Sequence, residues 1–374
     1  MSFHEIAIFA VFIAAVAAVL YAKRKKIVFT GLAFMQRTTR GKAFLDSTAR
    51  RHPRLWSVFG NLSVIIGVPA MIFISYYIID NVIQLLQGNV AGAVSLVLPY
   101  TTFEARPGLL LVPWYFWVLG IATVVIPHEF CHGILCRLHK IKVDSLGWFL
   151  LVIIPGAFVE PNKRSLKRAS RKAKLQVYAA GSFANIVTAA LFALLGFAMV
   201  ALAFTQAGLF PTGVIEGTPA HAANLSGAIT AINGAPIKSL EDLQSVLSGI
   251  APGTAVTVTT TTGDFSLVTE KHPDFDRSYI GVAGPYQPYY KSKIPGTDQA
   301  FNFIFVLFQW LFTINLGIGL FNLLPAKPLD GGLLFEEIIS KFTDKSRQIT
   351  IGVSLVLGLS VIFAIAGPAL LSLL

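Results

Sequence analysis

Hydrophobic and polar positions along this chain fall into long blocks, without the short amphipathic repeats of a water-soluble domain. Uncharged apolar runs cover residues 6–22, 55–79, 109–127, 177–204, 301–326 and 348–374. At about 20 residues per crossing, these predict six transmembrane helices. A seventh run, 146–159, is too short to cross and is interrupted by Gly147, Pro155 and Gly156. It predicts a re-entrant hairpin, which is tolerated at membrane depth only where it is buried in protein or lines a wet cavity.

Residues 206–299, between the fourth and fifth spans, have a different pattern. Gly, Pro, Thr and acidic residues rise, and the long apolar runs stop. The pattern predicts a strand at 213–216, a short helix at 218–224, a strand and turn over 228–237 bending at Asn233-Gly234, a helix at 239–249, and strands at 255–261 and 264–269. This is a small α+β soluble domain. The Tyr-, Pro- and Lys-rich stretch 285–295 reads as a linker near the outer headgroups. Four regions follow: N-terminal helices and a basic loop (1–108), a membrane core with the hairpin (109–205), the soluble insert (206–299), and C-terminal helices (300–374).

Composition agrees with a polytopic α-helical membrane protein. Of 374 residues, 54% are hydrophobic and only 13% charged, with a mean hydropathy of +0.67, whereas soluble domains carry about 25% charged residues. The net charge of +11 raises nucleic acid as a partner, but its distribution points to topology. Segments 23–54, 137–174 and 327–347 hold 24 of the 30 Lys and Arg residues. A six-span path with both termini outside puts all three in the cytoplasm, as the positive-inside rule requires, and leaves no nucleic-acid role. The first apolar stretch is followed by Lys23-Arg24-Lys25-Lys26 and reads as a retained anchor. Cys131 and Cys136, the only cysteines, read as small packing residues on one helix.

Chemistry enters at His128-Glu129-Phe130-Cys131-His132. Histidines at i and i+4 share a helical face and can ligate one metal, while the intervening glutamate is placed to act as a general base. A catalytic zinc requires a third protein ligand. The fifth span ends in Asn322-Leu323-Leu324-Pro325-Ala326-Lys327-Pro328-Leu329-Asp330-Gly331-Gly332, where an aspartate follows a helix broken by two prolines. Such a carboxylate is costly near a membrane unless it is paired or metal-bound. On the six-span path the third and fifth spans both run inward, so His128, His132 and Asp330 converge at the cytoplasmic end.

Together, His-Glu-x-x-His and Asn-x-x-Pro-x-x-x-x-Asp-Gly resemble the signature of the site-2 protease family of intramembrane zinc metalloproteases. Gly181-Ser182-Phe183-Ala184-Asn185 is similar to a third family element, with Ser182 where the family often has proline. The hairpin at 151–161 resembles the re-entrant segment of archaeal-type members. The resemblance implies Zn²⁺ on His128, His132 and Asp330, Glu129 as general base, and Asn185 as a hydrogen-bond donor to the oxyanion. It also implies single-span membrane proteins as substrates. Asn322 has two open readings: orienting the substrate strand, or satisfying backbone groups freed by the Pro325 break. Within the insert, Val214-Ile215-Glu216-Gly217-Thr218-Pro219-Ala220 and Ile229-Thr230-Ala231-Ile232-Asn233-Gly234 resemble a PDZ domain of bacterial protease-associated type. That likeness implies an extracytoplasmic module binding a peptide or chain end by strand addition.

Two other classes compete. A transporter also has broken spans and intramembrane polar residues, but no symmetric pair of broken helices is visible. A non-catalytic membrane scaffold has no need of Glu129. His139 reads as a solvated interfacial histidine, Glu160 as an interfacial carboxylate near Lys163 and Arg164, and Gly317 and Gly319 as helix-packing positions.

Overall fold

The computed structural model describes residues 28–30, 33–89, 94–100, 104–106, 108–151, 154–273 and 275–371, with isolated positions 14, 18, 21 and 22. The first expected span, 6–22, lies almost wholly outside the described residues. Five helices among the described residues are long and apolar enough to cross a membrane. The chain divides into two compact units, Met1–Leu194 with Leu307–Leu374, and Leu195–Val306.

The first unit opens with strands β1 (Val28–Thr30) and β2 (Ala33–Thr38), followed by α1 (Lys42–Arg51) and the long α2 (Pro53–Leu86). Proline at the first position of α2 suits a helix start, where an N–H would lack a partner anyway. Next come β3 (Leu96–Tyr100), β4 (Glu104–Arg106) and β5 (Leu109–Pro113), a small sheet with β5 central. The third span is therefore α3 (Trp114–Leu138), shifted from the expected 109–127. Residues 109–113 pair as a strand, and the helix runs on through Pro127, so the histidine motif lies inside a helix and not beyond its end.

The apolar run 146–159 forms the hairpin of β6 (Val143–Leu151) and β7 (Ile154–Pro161). These strands join β1 and β2 in an antiparallel sheet of order β1-β2-β6-β7, which leaves β7 at an edge. Two cross-strand pairs, Gly147 with Phe158 and Phe149 with Gly156, explain its glycines. A Cβ at Gly147 would lie 2.4 Å from the Phe158 ring, and one at Gly156 would lie 2.3 Å from the Phe149 ring, so each glycine makes room for an aromatic lying across it. The short α4 (Lys163–Arg168) follows, capped by the Asn162 side chain accepting from the Ser165 N–H, and then α5 (Arg171–Ala203).

The second unit contains the insert. Its elements are β8 (Phe204–Phe210), β9 (Gly213–Val214), α6 (Pro219–Ala222), β10 (Ile229–Ile232), β11 (Ala235–Pro236), α7 (Leu240–Ser248), β12 (Ala255–Thr260), β13 (Asp264–Val268), β14 (Glu270–Lys271), β15 (Ser278–Tyr279), β16 (Val282–Ala283) and β17 (Gln287–Ser292). The main sheet runs β13-β12-β10-β8-β17 around a core of Ile229, Ile232, Ile237, Leu243, Val258 and Ile280. A capping box starts α7: Ser239 accepts from the Asp242 N–H, and the Asp242 carboxylate accepts from the N–H groups of Lys238 and Ser239. Those two backbone donors hold the Asp242 carboxyl below its usual range. Two expectations are corrected here. The stretch 285–295 is not a linker, because its center is β17 paired along β8, and residues 204–210, expected to end a span and lead into the insert, form the strand that receives it.

The chain then forms α8 (Asp298–Phe321), α9 (Asp330–Ile339) and α10 (Ser346–Leu371). Helix α8 ends at Phe321, short of the expected 326, because Pro325 and Pro328 cannot continue it. In the first unit, Ile74 and Ile78 of α2 pack with Leu357 of α10, while Met71, Ala179, Leu323 and Leu334 join α2 and α5 to the segment after α8. Outward positions stay apolar, such as Leu194 at 63% and Leu359 at 67% exposure, as lipid-facing helices require.

Helix α1 is held on α3 by packing and charge. Gly133 lets Leu45 approach so closely that a Cβ there would lie 2.7 Å from Leu45 Cδ1. Beside it Arg137 donates twice to Asp46, at 2.6 and 2.7 Å, which holds the Asp46 carboxyl below its ordinary value. Because the folded-state pKa is lowered, this contribution is present above the ordinary carboxylate range and is lost as pH falls through the depressed value. Asp46→Asn should lower stability by about 1 kcal/mol near neutral pH, given partial exposure of the pair. Thermal unfolding in detergent checks this, and the gap to wild type should close as the medium is acidified below about pH 4.

Candidate active site

Three side chains from two distant stretches converge. His128 and His132 lie one turn apart on α3, and Asp330 opens α9. The two Nε2 atoms are 3.2 Å apart, and each is 3.0 Å from the same Asp330 oxygen, Oδ2. Side-chain exposures are 10, 11 and 21%, so the cluster is shielded yet not sealed. Among the described residues, this is the group of three or more His, Cys, Asp or Glu side chains able to hold a metal ion.

A fold-back of the chain delivers Asp330. The Gly331 N–H donates to the Asn322 carbonyl at 2.8 Å, closing the loop that the two prolines open. A Cβ at Gly331 would lie 2.1 Å from the Leu323 carbonyl oxygen, and one at Gly332 would lie 2.7 Å from the backbone of Ala326. The Asp-Gly-Gly sequence is thus what lets the start of α9 press against its own loop. Asn322 contributes its backbone carbonyl to this closure.

Helix α5 supports the histidines with one stripe at i, i+4 and i+8: Val177, Gly181 and Asn185. The Val177 carbonyl lies 2.6 Å from His132 Nδ1. A carbonyl only accepts, so Nδ1 carries a proton, and in the neutral ring Nε2 is then left to offer its lone pair on the Asp330 side. At Gly181 a Cβ would lie 2.2 Å from His132 Nε2 and 2.7 Å from His128 Nε2, so any side chain would fill the site. The Asn185 amide lies 3.1 Å from His128 Nδ1 and is fully buried. Two Nε2 atoms and a carboxylate oxygen facing one another at this spacing make a good ligand set. Ligand atoms around a tetrahedral zinc at about 2.0–2.1 Å lie about 3.3 Å apart, close to the observed triangle. The residues fit the ion.

Glu129 comes next to His128 on α3, and its Oε2 accepts the Val159 N–H of edge strand β7 at 2.8 Å. The supporting backbone groups, the Val177 carbonyl and the Val159 N–H, were not visible in the sequence because they carry no side-chain signature. Spacing gave one hint: Val177 lies four residues before Gly181. Two lesser expectations change. His139 is not simply solvated, since its Nε2 lies 2.6 Å from Gln176 Oε1, and Gln176 in turn donates to Asn61. Glu160, expected near Lys163 and Arg164, has as its partners Ser145, which donates at 2.7 Å, and Arg37 at 3.7 Å. Cys131 and Cys136 are buried free thiols. Gly319 packs closely on α5, whereas Gly317 faces open space.

Long apolar helices, one of them bringing two histidines and a glutamate against the aspartate that opens α9, define a polytopic membrane protein with a metallopeptidase-type center. The chain belongs to peptidase family M50, the site-2 protease family, whose model matches residues 116–365. That family indicates a metallopeptidase, and its members use zinc. The chain is also similar to the uncharacterized protein MJ0971 of Methanocaldococcus jannaschii, at 26% identity over 321 residues, covering 84% of this chain and 80% of the relative.

Gly181 provides a direct check on the ligand geometry. Gly181→Ala should weaken metal binding by about tenfold or more, while Gly317→Ala, made where a Cβ meets nothing within 4 Å, should leave it unchanged. Metal content of the purified variants after dialysis against a chelator measures the difference.

Proposed function

We propose that this protein is an intramembrane zinc endopeptidase that cuts the transmembrane segments of single-span membrane proteins, releasing their cytoplasmic part. The observation that carries this reading is the convergence of His128 and His132, on a helix apolar enough to span a bilayer, with Asp330 at the start of α9, beside Glu129. His128, His132 and Asp330 would hold the ion. When bound, zinc supplies Lewis acidity that polarizes the scissile carbonyl and makes water a nucleophile near neutral pH.

The remaining steps belong to the chain. Glu129 takes a proton from the attacking water and returns it to the leaving amine. The Val177 carbonyl keeps His132 in the tautomer that presents Nε2. A substrate helix hides its carbonyls in its own hydrogen bonds and must unwind before it is cut. Strand β7, at the edge of its sheet, supports strand addition as the means. By strand alternation Ala157 presents its main chain on the same side as Val159, and pairing there would satisfy an unwound segment. In this reading the hairpin is the re-entrant element. The basic segments at 23–54, 137–174 and 327–347 support a cell-membrane, multi-pass topology with the site near the cytoplasmic face and the insert outside.

We assign the insert as a PDZ-like module that receives a peptide or chain end. Supporting this are its sheet order, the helix α7, and a groove of about 360 Å³ lined in part by Leu243, Leu247, Tyr279, Ile280 and Arg277. The Arg277 Nε is buried without a hydrogen-bond partner among the described residues, a charge suited to a terminal carboxylate.

Two measurements test these assignments. Glu129→Gln should lower cleavage of a tagged single-span substrate by about 10²–10⁴-fold while leaving bound zinc nearly intact; cleavage unchanged from wild type would remove Glu129 as the base, and no cleavage by the wild type itself would instead support a transporter or scaffold. In the full chain, Leu240→Lys, at a groove position that is 41% exposed, should weaken binding of peptides with an apolar C-terminus and leave zinc content unaltered, as read by fluorescence anisotropy of a labeled peptide.

A further inference from the structure

The stripe on α5 treats the two histidines in parallel. Val177 serves the Nδ1 of His132, and two turns along the same face Asn185 stands against the Nδ1 of His128. As the contact stands, the amide nitrogen Nδ2 faces His128 Nδ1 at 3.1 Å, and Oδ1 is buried with no hydrogen-bond partner among the described residues. Amide oxygen and nitrogen are alike in shape, so hydrogen bonding decides which faces which. When His128 offers Nε2 to a metal, its Nδ1 carries the proton and needs an acceptor. An NH₂ group cannot accept it. A half-turn of the amide about its terminal torsion puts Oδ1 in that place and gives His128 the bond that Val177 already gives His132.

We propose that Asn185 is a positioning residue whose side-chain carbonyl accepts the His128 Nδ1–H and so holds the ring with Nε2 on the metal. This deepens the zinc reading of the site and rests on it. It also gives Asn185 a different task from the oxyanion donation that the family resemblance implies. A donor to a substrate oxyanion must face space that substrate can enter. Asn185 has no exposed surface, lies beyond the His128 ring from Asp330, and is closed in by α8, where a Cβ on Gly319 would come within 3.0 Å of the Asn185 Cβ.

Two near-isosteric variants of the full chain in detergent separate the roles. Asn185→Asp keeps an acceptor and loses the NH₂ donor, and Asn185→Leu loses both. Zinc affinity is measured by chelator competition, and ligand geometry by the visible spectrum of the cobalt-substituted protein. Asn185→Leu is expected to bind zinc about 10–100-fold more weakly and to shift the cobalt bands. Asn185→Asp is expected to stay near wild type in zinc affinity, cobalt spectrum and proteolysis. The proposal is overturned if Asn185→Leu holds zinc like wild type, or if Asn185→Asp keeps zinc but loses proteolysis, the mark of a missing oxyanion donor. Equal zinc loss in both variants, the result of a purely structural role, overturns it too. A wild-type chain that takes up no zinc would instead remove the reading of the site itself.

Discussion

The close antiparallel contact of α3 and α5 at Gly181 is the constraint on which the site depends. With no side chain at that position, the backbone of α5 comes so near the imidazoles that even a methyl group would lie 2.2 Å from His132 Nε2. That approach brings the Val177 carbonyl and the Asn185 amide within hydrogen-bonding distance of the two Nδ1 atoms. Ring orientation, tautomer and room for an ion thus follow from one helix packing. In a membrane, where burial from water drives helices together only weakly, such small-residue contacts are what lets two backbones meet.

A second close approach brings in the third member. Asp330 could not reach the histidines from a helix continuing past Phe321, because the side chain would be carried away along the axis. Pro325 and Pro328 end that helix, the Gly331 N–H returns to the Asn322 carbonyl, and α9 begins with its aspartate turned to the site. The glycines after Asp330 are as much a part of the center as the aspartate, since their missing Cβ atoms leave room for the loop.

The sheet β1-β2-β6-β7 packs on α3 and reaches the site through the bond from Val159 N–H to Glu129. The same edge that steadies the glutamate is the surface on which an extended chain can pair. On the proposed function, base and substrate track would be built on adjacent atoms, a physical route by which an unwound segment is presented to Glu129.

Block hydrophobicity located five long apolar helices from the sequence, because the cost of burying charge in lipid leaves long uncharged runs. Spacing determined the candidate ligands, because i and i+4 share a helical face and an Asp-Gly-Gly after two prolines has few other uses. The insert was legible for a related reason: its turn at Asn233-Gly234 and its Ser239 cap are local chemistry. The assignments that failed were those made by long-range pairing. Residues 109–113, 204–210 and 287–292 are strands only because partners elsewhere in the chain bond to them, and a window of sequence contains no partner. Tertiary structure alone decided which atoms serve the histidines. Backbone carbonyls and amides are the same in every residue, so Val177 and Val159 become functional only through position, and the fully buried place of Asn185 comes from the packing of three helices that the sequence names but does not arrange.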